Sequence, residues 1–372
     1  MNGSAYLRPD AKHNRITITQ FILIIHSMQL GVTGLSLPSD LARSGGTDGW
    51  IALLIGWLGS VAASLIIVQV MKKHPTGTII ELISRFFGRW IGRLATVFFG
   101  VYATFYAYLI LDRMVLLVQS WIMQQSRTYV LMLLFVVPAY MIVKGGVRVM
   151  GRYAEIVVYS SIWMLLLLGV LMREANWLHL LPVLKEGWQP VLDTVPKTLL
   201  AFLGFEIIYF IYPNLEKKQY ASLGVLIANT YTLVIYLLVT LVCFLVYSPD
   251  EITQFNQPVI SIFKILETRY IERFDIIMLT WYLLIISKTW IPSLFMSVYC
   301  MKSLFVVGKP GTYTALLLGG MFLVTWMWNP DWNASSSALK GFSSFGFAIA
   351  YLLPVCLWCI LSVLLRFKRW ST

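Results

Sequence analysis

The chain has 372 residues, of which 58% are hydrophobic, 15% aromatic and only 12% charged, with a formal net charge of +12 and a mean hydropathy of +0.75. Soluble domains carry roughly twice that share of charge, and no water-solvated core hides this much apolar surface, so the composition excludes a soluble protein and predicts an all-α polytopic membrane protein. The excess of Lys and Arg is then read as a topological signal facing lipid headgroups, not as a nucleic-acid footprint.

The first fifteen residues are polar and lack the apolar core of a signal peptide, so the first apolar segment is expected to stay as a span. A bilayer core takes about 20 apolar residues per helix. On that measure the chain offers ten spans: about 16–39, 50–71, 94–121, 129–146, 154–172, 196–215, 221–247, 274–301, 312–328 and 342–365. Between the second and third, the stretch 77–93 alternates apolar and basic residues at helical spacing and predicts an interfacial amphipathic helix. With the N-terminus placed in the cytoplasm, eighteen Lys and Arg fall in inner segments, nine in outer ones, and Arg113 and Lys288 within spans. That bias predicts both termini cytoplasmic. The outer stretches 173–195 and 248–273 are acidic and long enough to cap the outer face.

Two spans carry interruptions. The first holds Gly31-Val32-Thr33-Gly34 followed by Pro38, and the sixth holds Gly204-Phe205-Glu206 with Pro213 beyond. A kink alone explains glycine and proline in a membrane helix, but a carboxylate at membrane depth needs a partner or a cavity. Spans one and six open two five-span halves, about 16–172 and 196–365. An odd span number gives the halves opposite orientation, and matched interruptions point to an inverted-repeat transporter with a midplane site. The whole chain, 1–372, is expected to be one polytopic domain.

The run Ala201-Phe202-Leu203-Gly204-Phe205-Glu206 resembles the F-x-G-F-[DE] signature on the sixth helix of the amino acid–polyamine–organocation superfamily. Gly31 to Gly34 with Pro38 resembles that superfamily's glycine-rich break in helix one, with altered spacing. Length and span count resemble one branch, the endospore germination permeases, which are the B subunits of spore germinant receptors. The resemblance implies a LeuT-like 5+5 inverted repeat with helices 1 and 6 discontinuous. It also implies an amino acid germinant, A and C receptor subunits as partners, and the spore inner membrane as location.

A broken helix frees backbone groups. N–H groups opening the half-helix at Gly34 and Leu35 suit a carboxylate, and carbonyls before each break suit an ammonium or a cation. Gly31, Val32, Thr33, Gly34, Leu35, Phe202, Leu203, Gly204, Phe205 and Glu206 are therefore expected to cradle a zwitterion, with Tyr106 of the third span nearby. Bundle packing is the competing account of the aromatic residues. Lys288 lies 14 residues into its span, about 21 Å along a helix and too deep to snorkel. The resemblance places helix eight against the helix-one break, so Ser287, Lys288 and Thr289 are expected to replace a sodium site, with a tethered cation, and Glu206 and Asp112 to complete a cation or proton-coupling group. A static salt bridge from Lys288 to Glu206 or Asp112 is the alternative. His26 is expected to be a hydrogen-bonded packing residue, and the four cysteines small hydrophobes.

No H-E-x-x-H, Walker or G-x-G-x-x-G pattern occurs, so no enzyme, metal site or cofactor is expected, and no nucleic acid partner. Two readings remain: an amino-acid-sensing receptor subunit, or a stand-alone proton-coupled amino acid permease. Both use the same pocket, because sensing needs only differential affinity for two conformations.

Overall fold

The computed structural model describes residues 14–265, 273–305, 308–328 and 330–370. The N-terminal stretch with Arg8, Lys12 and His13, and the part of the outer loop carrying Glu267, Arg269 and Glu272, lie outside the described residues.

Helix occupies each of the ten stretches read from the sequence. In chain order these are α1 (Ile18–Gln29) and α2 (Thr33–Gly45), α3 (Gly49–Lys72), the short α4 (Ile79–Phe87), α5 (Arg89–Trp121), α6 (Thr128–Lys144), α7 (Gly146–Ser160) and α8 (Ile162–Leu171). The second half holds α9 (Gln189–Ala201) and α10 (Ile208–Ile211), α11 (Ala221–Val246), the short α12 (Pro249–Gln254) and α13 (Pro258–Ser261), α14 (Phe274–Leu304), α15 (Pro310–Met327), α16 (Trp332–Phe347) and α17 (Leu353–Trp370). Among the described residues, six helical segments are able by length and composition to cross a membrane, or seven if the pair bent by 41° around residues 202–204 counts as one. α1 and α6, with 12 and 17 residues, are shorter.

Apolar runs misjudge several ends, because helices continue into polar sequence wherever a cap supports them. α16 begins ten residues before the expected tenth span: Asp331 accepts from the Ala334 N–H at 2.7 Å and caps it. α9 begins at Gln189 and not near 196, running through Pro196. The amphipathic stretch is shorter than expected. Thr78 and Glu81 form a capping box, α4 ends at Phe87, and Gly88 at φ 93° turns the chain so that residues 89–93 open α5.

The packing places α5 along α14, α3 against α11 and α6 against α15. Each of these pairs joins helices in matching positions of the two halves. α1 sits between α7, α11 and α14, while α9 sits against α2 and α3. Beyond the α2 end, α12 and α13 pack on α2, and Arg43 donates to the Thr253 carbonyl at 2.7 and 3.0 Å. At the other end, Ile16 pairs with Leu215 in an isolated parallel bridge. The Ile16 N–H donates to the Asn214 carbonyl at 3.0 Å and the Glu216 N–H to the Ile16 carbonyl at 3.1 Å.

Candidate functional site

Both expected breaks are present, and they touch. α1 ends at Gln29, Leu30 leaves helical geometry at ψ 72°, and α2 resumes at Thr33. α9 ends at Ala201, and Gly204 takes φ 123° before a single turn over Phe205–Ile207. That dihedral favours glycine. Space demands glycine as well, since a Cβ there would come 2.5 Å from the Met28 carbonyl carbon and 2.8 Å from the Gln29 nitrogen. The two gaps therefore meet backbone to backbone.

Side chains that the sequence reading passed over hold this junction. The Gln29 amide donates to the Phe202 carbonyl at 3.0 Å and to Asn229 Oδ1 at 2.8 Å, and its oxygen accepts from Thr232 at 2.8 Å. The Tyr236 hydroxyl lies 2.7 Å from the Gln29 carbonyl and 3.1 Å from the Ala201 carbonyl. Its single proton serves one of them at a time. The available signal was the depth of two amides, Gln29 and Asn229, in apolar spans, where unpaired amides are expensive.

Protein groups already occupy much of the polar backbone of the first break. Thr289 Oγ1 lies 3.0 Å from the Ser27 carbonyl and 3.3 Å from the Leu30 carbonyl. Tyr282 donates to the Gly31 carbonyl at 3.0 Å. The Gly34 and Leu35 N–H groups bond locally to the Gly31 and Val32 carbonyls at 3.3 and 3.1 Å. Helix α14 does stand against the helix-one break, and its hydroxyls cap the carbonyls that the sequence offered to an ammonium.

The remaining expected residues form separate clusters. Glu206 accepts from Tyr102 and from the Gly204 N–H, both at 2.8 Å. Tyr106 stacks on Tyr102 and on Phe342, with ring centroids 6.2 and 5.6 Å apart. Phe202 packs edge-on against Tyr236 and Phe205 against Tyr351, and both phenylalanines are fully buried. Asp112 accepts from Ser335 of α16 at 2.6 Å, and Arg113 is buried under the Trp332 ring, 3.9 Å from its centroid. Ser287 hydrogen-bonds Tyr153 of α7.

Lys288 is 2% exposed and joins neither carboxylate. Among the described residues the one ion pair within 4.0 Å is Arg273–Asp275, and Lys288 makes no hydrogen bond. The ammonium borders a small void beside Ile24, Ser27, Tyr153 and Ala154. It also borders a larger cavity of about 80 Å³ between the first break, α7–α8, α11, α13 and α14. His26 lines that cavity too, paired with Thr232 at 2.9 Å and tilted on Tyr231. Gly34 and Leu35 reach it, whereas Phe202–Glu206, Tyr106 and Asp112 do not.

This architecture resembles solved transporters. MhsT in complex with L-phenylalanine superposes with a TM-score of 0.66 at 12% identity, over 91% of this chain and 87% of that one. A Na+-coupled sialic acid symporter gives 0.67 at 12% identity, over 93% and 79%. The fold is thus the LeuT-like transporter fold with helices 1 and 6 discontinuous. In sequence, the chain is 24% identical to spore germination protein A2 of Bacillus subtilis (strain 168), over 94% of this chain and 96% of that protein. It is 28% identical to spore germination protein B2 of the same strain, over 72% and 74%, and 24% identical to spore germination protein GerQB of Bacillus cereus, over 70% and 72%. A family profile described as spore germination protein matches residues 15–333, which, on the frame of touching helix breaks, makes this chain a member of the spore germination permease family.

Proposed function

We propose that the chain is the germinant-binding subunit of a spore germinant receptor, taking an amino acid at the paired helix breaks and passing a population shift to A and C subunits. Its ten spans divide into halves at 16–172 and 196–365, with both termini cytoplasmic and the protein in the spore inner membrane. Family and fold are those of permeases, and no catalytic step is assigned.

One observation carries the reading: the break in α1–α2 abuts the break at Gly204, with the buried Lys288 side chain, which has no ion-pair partner, beside it. Two short half-helices meeting at mid-depth have few backbone bonds to each other, so a ligand that favours one arrangement shifts the equilibrium. Lys288 takes the place of a bound cation next to the hydroxyl of Thr289, and Ser287 ties α14 to α7. Glu206, held by Tyr102, links the second break to α5. The backbone around Gly31, Val32, Thr33, Gly34 and Leu35, and around Phe202, Leu203, Gly204 and Phe205, supplies the ligand contacts when local bonds are exchanged, and Tyr106 flanks Glu206. Asp112 lies outside this group.

The likeness to symporters favours the second reading, transport by the chain alone. Purified chain in liposomes decides between the two. The receptor reading expects saturable binding of amino acids without their accumulation in the lumen; accumulation driven by a proton gradient would replace it with a permease.

A further inference from the structure

The larger cavity is chemically lopsided. Along α14 its wall runs Met278, Tyr282, Ile285 and Lys288, from the α13 side toward the middle of the bundle. The wall from α13 and the turn after it is apolar, made by Val259, Ile260 and Phe263, and Leu168 and Val239 line the cavity as well. At the deep end stand Lys288 and His26, and among the lining residues there is no Asp or Glu. The backbone carbonyls nearest that end are held by Thr289, Tyr236 and Tyr282.

A buried ammonium without a counter-ion is costly, and an anion at hydrogen-bond distance removes most of that cost. An α-ammonium entering the same space meets a like charge on Lys288 and no carboxylate. We propose that the cavity between α1–α2, α8, α11, α13 and α14 takes an apolar monocarboxylate, its carboxylate on Lys288 and its hydrocarbon body directed toward α13, with any amino group dispensable. This goes beyond the reading of a germinant-binding subunit and rests on it, moving the ligand's contacts from the Phe202–Phe205 backbone to Lys288 and the α1–α2 side of the junction: the germinant would be an amino acid with an aliphatic or aromatic side chain, recognised by its acid group and its apolar body.

The test uses the purified full chain in nanodiscs. Thermal stabilisation is first measured with leucine, valine, phenylalanine, alanine and glycine; labelled leucine is then competed with its desamino acid and with its decarboxylated amine. The proposal expects the three apolar amino acids to stabilise, the desamino acid to compete within about tenfold of leucine, and the amine not to compete. Lys288→Met should weaken leucine at least about tenfold while melting no lower than the parent, because an unpaired buried charge is gone. An amine that competes as well as the acid overturns the proposal without any variant having to fold, as does leucine affinity unchanged in Lys288→Met. Stabilisation by alanine or glycine alone refutes it but leaves the germinant-binding reading standing. Binding of none of the five refutes this proposal, and binding of none of the twenty standard amino acids removes that reading as well.

Discussion

At the scale of single residues, the junction depends on groups with no freedom to change. Gly204 has φ 123° and no room for a Cβ. Gly204→Ala is expected to lower stability by about 2–4 kcal/mol, combining left-handed strain with displacement of the Met28–Gln29 backbone. Denaturant unfolding in detergent measures it. Gln29→Ala strands the Phe202 carbonyl and Asn229 Oδ1, while the Thr232 hydroxyl turns to the Ala228 carbonyl at 3.0 Å. Hydrogen bonds between membrane helices average below 1 kcal/mol each, so a total loss of about 1–3 kcal/mol is expected by the same measurement. Tyr236→Phe removes one hydroxyl shared by two carbonyls and should cost about 0.5–1.5 kcal/mol. Asn229 also ties α11 to Ser64 of α3 at 3.1 Å, so the polar thread through the two breaks extends to a fourth helix.

At the scale of elements, the half-helices are joined at one end and covered at the other. The Ile16–Leu215 bridge fastens the start of α1 to the segment after α10, and Gln20 of α1 donates to Glu155 of α7 at 3.1 Å. Residues paired in a bridge have Cα atoms about 5 Å apart, within disulfide reach. Ile16→Cys with Leu215→Cys is therefore expected to cross-link under mild oxidation. A ligand that opens this end should slow the cross-link severalfold, as read by gel mobility after timed quenching. Equal rates with and without a ligand shown to bind would mean that this end does not move. At the opposite end, α12 and α13 lie over α2, held in part by Arg43 on the Thr253 carbonyl. Arg43→Ala removes two exposed hydrogen bonds and should change stability by less than about 1 kcal/mol, while speeding ligand entry if that cover opens. Rapid-mixing binding kinetics measure the difference.

At the scale of the whole molecule, helices in matching positions of the two halves pack on one another, and the halves meet at their first helices. Ten crossings with both termini inside require the α8–α9 connection and the 217–218 turn to face opposite sides. A cysteine at Glu186 should react with a membrane-impermeant maleimide from outside intact cells, and one at Lys217 only after permeabilisation. The same side for both would overturn the span count. By itself, the sequence determined the solvent, the helical segments and the two breaks, because hydropathy, Gly, Pro and an intramembrane Glu act locally along the chain. It also carried the family resemblance through Phe202 to Glu206. Which polar groups meet was a matter for tertiary structure alone. Gln29, Tyr236 and Thr289 satisfy the carbonyls that the breaks release, Glu206 turns to Tyr102, Asp112 turns to Ser335, and Lys288 is left facing a cavity. Hydrogen-bond partners more than a hundred residues apart leave no period in the sequence, and they are chosen only when helices pack and each buried polar group must find the nearest mate.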